Sequence, residues 1–136
     1  MNLHKFDTDE GVQWINLDNI SSILLFSTPN DTGYTARLIE RGTTDLFIHL
    51  TQTELQELIH VEDFLQITDG YQQDDGTHNV GYLRKNKVLA IYAITEGTDR
   101  VRAHTADMIG ARAVVELTNS ILFAKETPED LLTQLS

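Results

Sequence analysis

Two sets of side chains in this sequence have the composition of ligand sites. Carboxylates gather at Asp7, Asp9 and Glu10 and again at Asp74 and Asp75. Such oxygen donors suit calcium, which accepts irregular cages of carboxylate and carbonyl oxygen. Cations gather between 84 and 112, where Arg84, Lys85, Lys87, Arg100, Arg102 and Arg112 meet only Glu96, Asp99 and Asp107. Guanidinium groups fork onto phosphates and carboxylates. Arg84, Lys85, Arg100, Arg102, His104 and Arg112 therefore form a candidate site for a small anionic or nucleotide-like ligand. Neither set completes a known motif. An EF-hand begun at Asp7 puts Gly11 and Val12 at its fifth and sixth positions and Asp18 at its twelfth. One begun at Asp74 or Asp75 puts Asn79 or Val80 where glycine is required. Gly76 and Gly81 have the spacing of a phosphate-binding loop, but Tyr82 and Leu83 stand where lysine and a hydroxyl residue belong. His60, Glu62 and Asp63, like Asp74, Asp75 and His78, lack the paired-histidine spacing of a zinc enzyme. No serine sits in a glycine-flanked nucleophile elbow, and there is no cysteine. The chain is expected not to be an enzyme and to have no resident cofactor, with calcium the one metal its acidic turns suit.

Charge narrows the partners. The 136 residues carry 21 acidic and 10 basic side chains, a formal net charge of −11. Residues 1–75 hold 14 of the acids and only Lys5, Arg37 and Arg41 as bases, whereas residues 76–136 hold seven of each. An acidic chain repels a nucleic acid backbone, so direct binding to one is not expected. A protein with a basic surface is the natural partner of the first half. The 40% apolar content supports a real core. The longest apolar run, 88–94, is far too short to span a bilayer. The first residues lack an apolar signal core, and a cytoplasmic location is expected.

The elements that must position these residues occur twice. Trp14-Ile15, Ile20, Ile23 and Phe26 recur as Tyr82-Leu83, Val88, Ile91 and Ile94, with Asp7, Val12 and Asp31 returning as Asp75, Val80 and Asp99. Leu38-Ile39-Glu40, Leu46-Phe47, Thr51, Leu55 and Ile59 recur as Val114-Val115-Glu116, Leu122-Phe123, Thr127, Leu131 and Leu135. The second copy carries an extra loop near 96–110, a break that loops use to carry function. In the first copy, 14–17 and 20–27 read as two strands or one bent strand. A turn-rich loop at 27–33 follows, and then a hairpin of 35–40 and 43–50 about Arg41-Gly42. Thr51 and Glu54 form a capping box that opens a short helix carrying Leu55, Leu58 and Ile59. Thr127, Pro128, Glu129 and Asp130 open its counterpart with a hydroxyl cap, a first-turn proline and first-turn acids. Segment 61–74 joins the copies, and its apolar start suits either a helix extension or a strand.

The run Val114 to Leu131, with Thr127-Pro128-Glu129-Asp130 at its helix start, resembles the hairpin-plus-helix ending of small FlbD-like proteins of flagellar operons and similar short phage proteins. A fainter echo lies at 38–59. The resemblance implies a small, non-catalytic, self-associating protein and transfers no site residues. The expected architecture is α+β: two antiparallel β-rich halves, 1–60 and 75–136, joined by 61–74, each ending in a short capped α-helix and related by a pseudo-twofold. Homodimerisation through open strand edges is expected. The expected function is an acidic protein-interaction or inhibitor module, with anionic-ligand binding and calcium binding as alternatives.

Overall fold

Hairpins dominate the start of the chain. In the computed structural model, which describes residues 2–39, 46–73, 75–95, 97, 109–118 and 120–135, β1 (Leu3–Thr8) and β2 (Gly11–Asn16) pair antiparallel across a two-residue turn. Gly11, at φ 102°, supplies the left-handed backbone that this turn needs. Asn16 then caps a 3-10 turn, Leu17–Asn19, by accepting from the Asp18 N–H. The chain runs on into β3 (Ser22–Leu25), so 14–27 is two strands rather than one bent strand. β4 (Ala36–Ile39) and β5 (Leu46–Ile48) pair antiparallel; the turn between them lies outside the described residues. Thr51 and Glu54 make the expected reciprocal cap on α1 (Gln52–Leu58), and Leu55 is its buried anchor.

Residues 61–74, expected as a join, hold a 3-10 turn (Val61–Asp63) and the nine-residue strand β6 (Phe64–Gln72). Strand wins over helix because β6 buries both of its faces, Leu65 and Ile67 on one and Phe64 on the other. β7 (His78–Arg84) returns beside it, a 3-10 turn spans Lys85–Lys87, and β8 (Val88–Tyr92), β9 (Ala113–Leu117) and β10 (Ile121–Ala124) follow. α2 (Pro128–Leu135) starts with the Asp130 N–H donating to Thr127 Oγ1 at 3.2 Å. The fold is thus α+β, a ten-stranded antiparallel sheet with two helices. No helix among the described residues is long and apolar enough to cross a membrane.

The sheet order is β2-β1-β5-β4-β3-β7-β6-β10-β9-β8. β1 reaches β5 through Thr8 and Ile48, and β6 reaches β10 through Asp69 and Ala124. β3 and β7 join the two runs of five strands, pairing Ser22 with Leu83 through Leu25 with Val80. Two main clusters fill the interior. The first gathers Phe6, Ile15, Ile20, Ile23, Leu38, Ile48 and Leu55 with Phe64 and Tyr82. The second gathers Leu65, Ile67, Leu83, Val115, Ala124 and Leu131. Asp7 lies in β1 and Asp75 in the turn after β6, so that match in the sequence is not a match in place.

Candidate functional site

The seam between β3 and β7 carries long-range polar contacts at both of its ends. Arg84, at the end of β7, donates from Nε to the Ile20 carbonyl at 2.8 Å and from Nη2 to the Leu17 carbonyl at 2.6 Å. Its guanidinium lies 4.6 Å from the centre of the Phe64 ring, and its backbone N–H reaches Ser21 O. Charge-assisted donation to the carbonyls at the two ends of a 3-10 turn is a structural use of arginine. Arg84 therefore spends its fork on the protein's own backbone. Gln52 Nε2 on α1 donates to the Tyr82 hydroxyl at 3.0 Å, tying the helix to the same seam.

At the opposite end of the seam, polar side chains join the loop after β3 to the β6–β7 turn. Asn79 Oδ1 accepts from the Ser27 N–H at 3.0 Å and also from Gln73 Nε2. The Ser27 and Thr77 hydroxyls pair, and Thr28 Oγ1 donates to Gln73 Oε1 at 2.5 Å. An open cleft of about 420 Å³ lies here, lined by Phe26, Thr28, Pro29, Asn30, Asp31, Gln73 and Asp75. Asp75 accepts from the Thr77 hydroxyl at 2.6 Å and from its N–H at 3.0 Å. Those bonds, the hydroxyl's first, hold its carboxyl below the ordinary carboxylate value. Asp31 and Asp75 make this cleft acidic.

Of the cations singled out from sequence, the structure describes Arg84, Lys85 and Arg112. Arg112 is exposed just before β9, three strand positions from Arg84 in the sheet, so at least about 14 Å away across the sheet at the usual interstrand spacing. Lys85 sits on the 3-10 turn after Arg84. Arg100, Arg102 and His104 lie outside the described residues, as does Asp74. Asp9 accepts from the Phe47 N–H at 3.0 Å, fastening the β1–β2 turn to β5. The Glu10 N–H donates to Thr8 Oγ1, and Asp7 stands on the outer face of β1 beside Val12. Among the described residues, no three or more His, Cys, Asp or Glu side chains gather as a metal group.

Two features escaped the sequence. Asp69 on β6 is buried, and that burial pushes its carboxyl above the ordinary carboxylate value, against the Tyr71 N–H and the charges of Arg37 and His78. The other is an apolar outer face on the β1–β2 hairpin, where Leu3 is 50% exposed, Val12 49% and Trp14 65%. Pairing of Leu3 with Asn16, Lys5 with Trp14 and Asp7 with Val12 puts these side chains on one side. Lys5 Nζ lies 5.8 Å from the Trp14 ring. The signal was present as the period-two alternation of Val12 and Trp14 with Gln13 and Ile15. Which of the two apolar sets faces inward is decided only by the partner strands. No protein-family model, curated protein or solved structure matches the chain.

Proposed function

We propose that the chain is a non-enzymatic binding module built from one β-rich unit used twice, and that its acidic first unit engages a basic surface on a protein partner. Duplication is supported by strand order, since β2-β1-β5-β4-β3 and β7-β6-β10-β9-β8 are the same succession of hairpin, strand and hairpin. It is supported as well by position. The contacts Thr8–Ile48 and Asp69–Ala124 occupy the same place in each run. Phe6, Ile15 and Leu55 of the first cluster correspond to Ile67, Leu83 and Leu131 of the second, and Leu38 opposite Ile23 corresponds to Val115 opposite Ile91, one residue on from the sequence match of Leu38 with Val114. The threonine caps of α1 and α2 correspond too. The units meet by unlike edges, β3 against β7, so the relation proposed is head-to-tail in place of the expected twofold, which would bring like edges together. A single such unit is what the FlbD-like resemblance implies.

Charge placement carries the binding half of the reading. Asp18, Glu54 and Glu57 of the first unit, with Glu62 and Asp63 just after it, are all exposed, and residues 1–75 hold only Lys5, Arg37 and Arg41 as bases. Such a surface steers and holds a cationic partner. An arginine-rich peptide titrated calorimetrically provides the test. Binding should weaken at least tenfold between low and physiological salt and should fall with Glu54, Glu57 and Glu62 all changed to Gln. Binding indifferent to both would overturn the reading.

A further inference from the structure

The seam inside the chain shows how β3 receives β7, and among the described residues both ends of the sheet leave the corresponding edges without a strand partner. Among the described residues, β2 and β8 each have one neighbour, and they hold the places of β7 and β3 in their units. We propose that β8 of one copy of this chain adds antiparallel to β2 of the next, head to tail, repeating between chains the contact that β3 and β7 make within one. This inference rests on the duplication proposed above but reaches a different partner.

Burial at matching positions argues for it. Phe64, Val80 and Tyr82 form the outer face of the β6–β7 hairpin; Phe64 and Tyr82 are 4% and 2% exposed, and Val80 packs beside them against the first unit's cluster. Their counterparts on the first hairpin are Leu3, Val12 and Trp14, the exposed apolar face described above. The other side of the contact shows the same contrast. All four residues of β3 are buried, while every residue of β8 is partly or wholly exposed. Ile59 is buried in the first cluster with Phe64, and its counterpart Leu135 on α2 is exposed. Each end of the molecule thus shows, uncovered, what the internal seam covers. Large apolar residues in an open strand face mark an interaction surface.

The internal register fixes the proposed one. Ser22 with Leu83 through Leu25 with Val80 translates to Ala90 with Ile15, Ile91 with Trp14, Tyr92 with Gln13 and Ala93 with Val12. Charge favours a second copy in this orientation. A contact between two β2 edges would set two strongly acidic units together, whereas β8 belongs to the unit with balanced charge. Unlike edges also mean that assembly does not stop at a dimer by symmetry. It closes into a ring or continues, according to the rotation per copy.

The test uses two variants altered only at exposed positions, so that each still folds. The head variant carries Leu3→Glu and Val12→Glu, and the tail variant carries Ala93→Glu and Leu135→Glu. Native mass spectrometry and sedimentation should show the wild-type chain growing in mass with concentration up to about 0.5 mM, enough to reveal contacts of millimolar Kd. Emission from Trp14, the one tryptophan, should move to shorter wavelength in step. Each variant alone should stay single, and an equal mixture should give a one-to-one dimer, because the head variant keeps its tail and the tail variant its head. A wild-type chain that stays single throughout overturns the proposal. So does a tail variant that still dimerises alone, or a mixture that stays single. None of those results touches binding of the arginine-rich peptide, so the two readings fail separately.

Discussion

Replacing Arg84 with methionine isolates what the seam owes to one side chain. Methionine keeps most of the apolar stem over Phe64 but gives up both donations, to Ile20 O and Leu17 O, and the cation above the ring. A hydrogen bond from a charged donor contributes about 1.5–3 kcal/mol, and a partly exposed cation–π contact about 0.5–1 kcal/mol. Arg84 is half-buried, and the Ile20 N–H still reaches Leu17 O, though at 3.4 Å. The donations are therefore discounted for screening, and a loss of about 2–4 kcal/mol is expected, a large part of a typical domain's stability. Urea unfolding followed by circular dichroism reads it directly, and a melting temperature lowered by roughly 3 °C per kcal/mol should accompany it. Arg84→Lys, which cannot span both carbonyls, should fall between. Lys85→Ala, on the neighbouring turn, should stay within about 0.5 kcal/mol of wild type. An Arg84→Met protein as stable as wild type, with an unchanged urea slope, would refute the structural role of the guanidinium.

Other perturbations have definite signs. Thr51→Ala removes one arm of the capping box and should cost about 1 kcal/mol in urea unfolding. The Ser22 hydroxyl is buried with no hydrogen-bond partner among the described residues, and the corresponding place in β8 holds Ala90; Ser22→Ala should stabilise by about 1 kcal/mol, and a loss would show that the hydroxyl is satisfied. A Cβ added at Gly81 would meet Ile67 Cγ1 at 3.0 Å inside the second cluster, so Gly81→Ala should cost about 1–3 kcal/mol. Because the Asp69 carboxyl titrates above its ordinary 3.8 in the fold, its contribution is fully present below that value and is lost as pH rises through the folded pKa. Asp69→Asn should therefore gain stability relative to wild type as pH rises from 4 towards 7, and parallel pH profiles of the two proteins would contradict the burial argument.

Local signals were legible in the sequence and distant ones were not. Both helix starts could be read because a cap involves residues three apart, and the returning apolar pattern could be read because it is a property of the sequence alone. β1 went unseen because its inward face mixes His4 and Thr8 with Phe6, so the alternation expected of a half-buried strand is broken. β6 stayed ambiguous between helix and strand because Phe64, Leu65 and Ile67 are all buried, on opposite faces. Arg84 read as part of an anion site because only its charge is visible in the sequence; its acceptors lie 64 and 67 residues away. The alternation of Val12 and Trp14 was legible, but not which face it exposes, since Tyr82, which the sequence matches to Trp14, is buried.

The connection from α1 to β6 has a consequence for how the same edge contact behaves inside and between chains. Only residues 59–63, part of them a 3-10 turn, separate the end of the first unit from the first strand of the second. So short a tether holds the two edges of the seam at an effective concentration of about millimolar or more. At that effective concentration an edge contact of millimolar strength is made within about half of the chains or more, and one of micromolar strength within nearly every chain, at any dilution. The contact proposed between chains would have no tether and would follow the total amount of protein. One kind of edge contact would then be a standing joint within the chain and, under the proposal, a concentration-dependent one between chains.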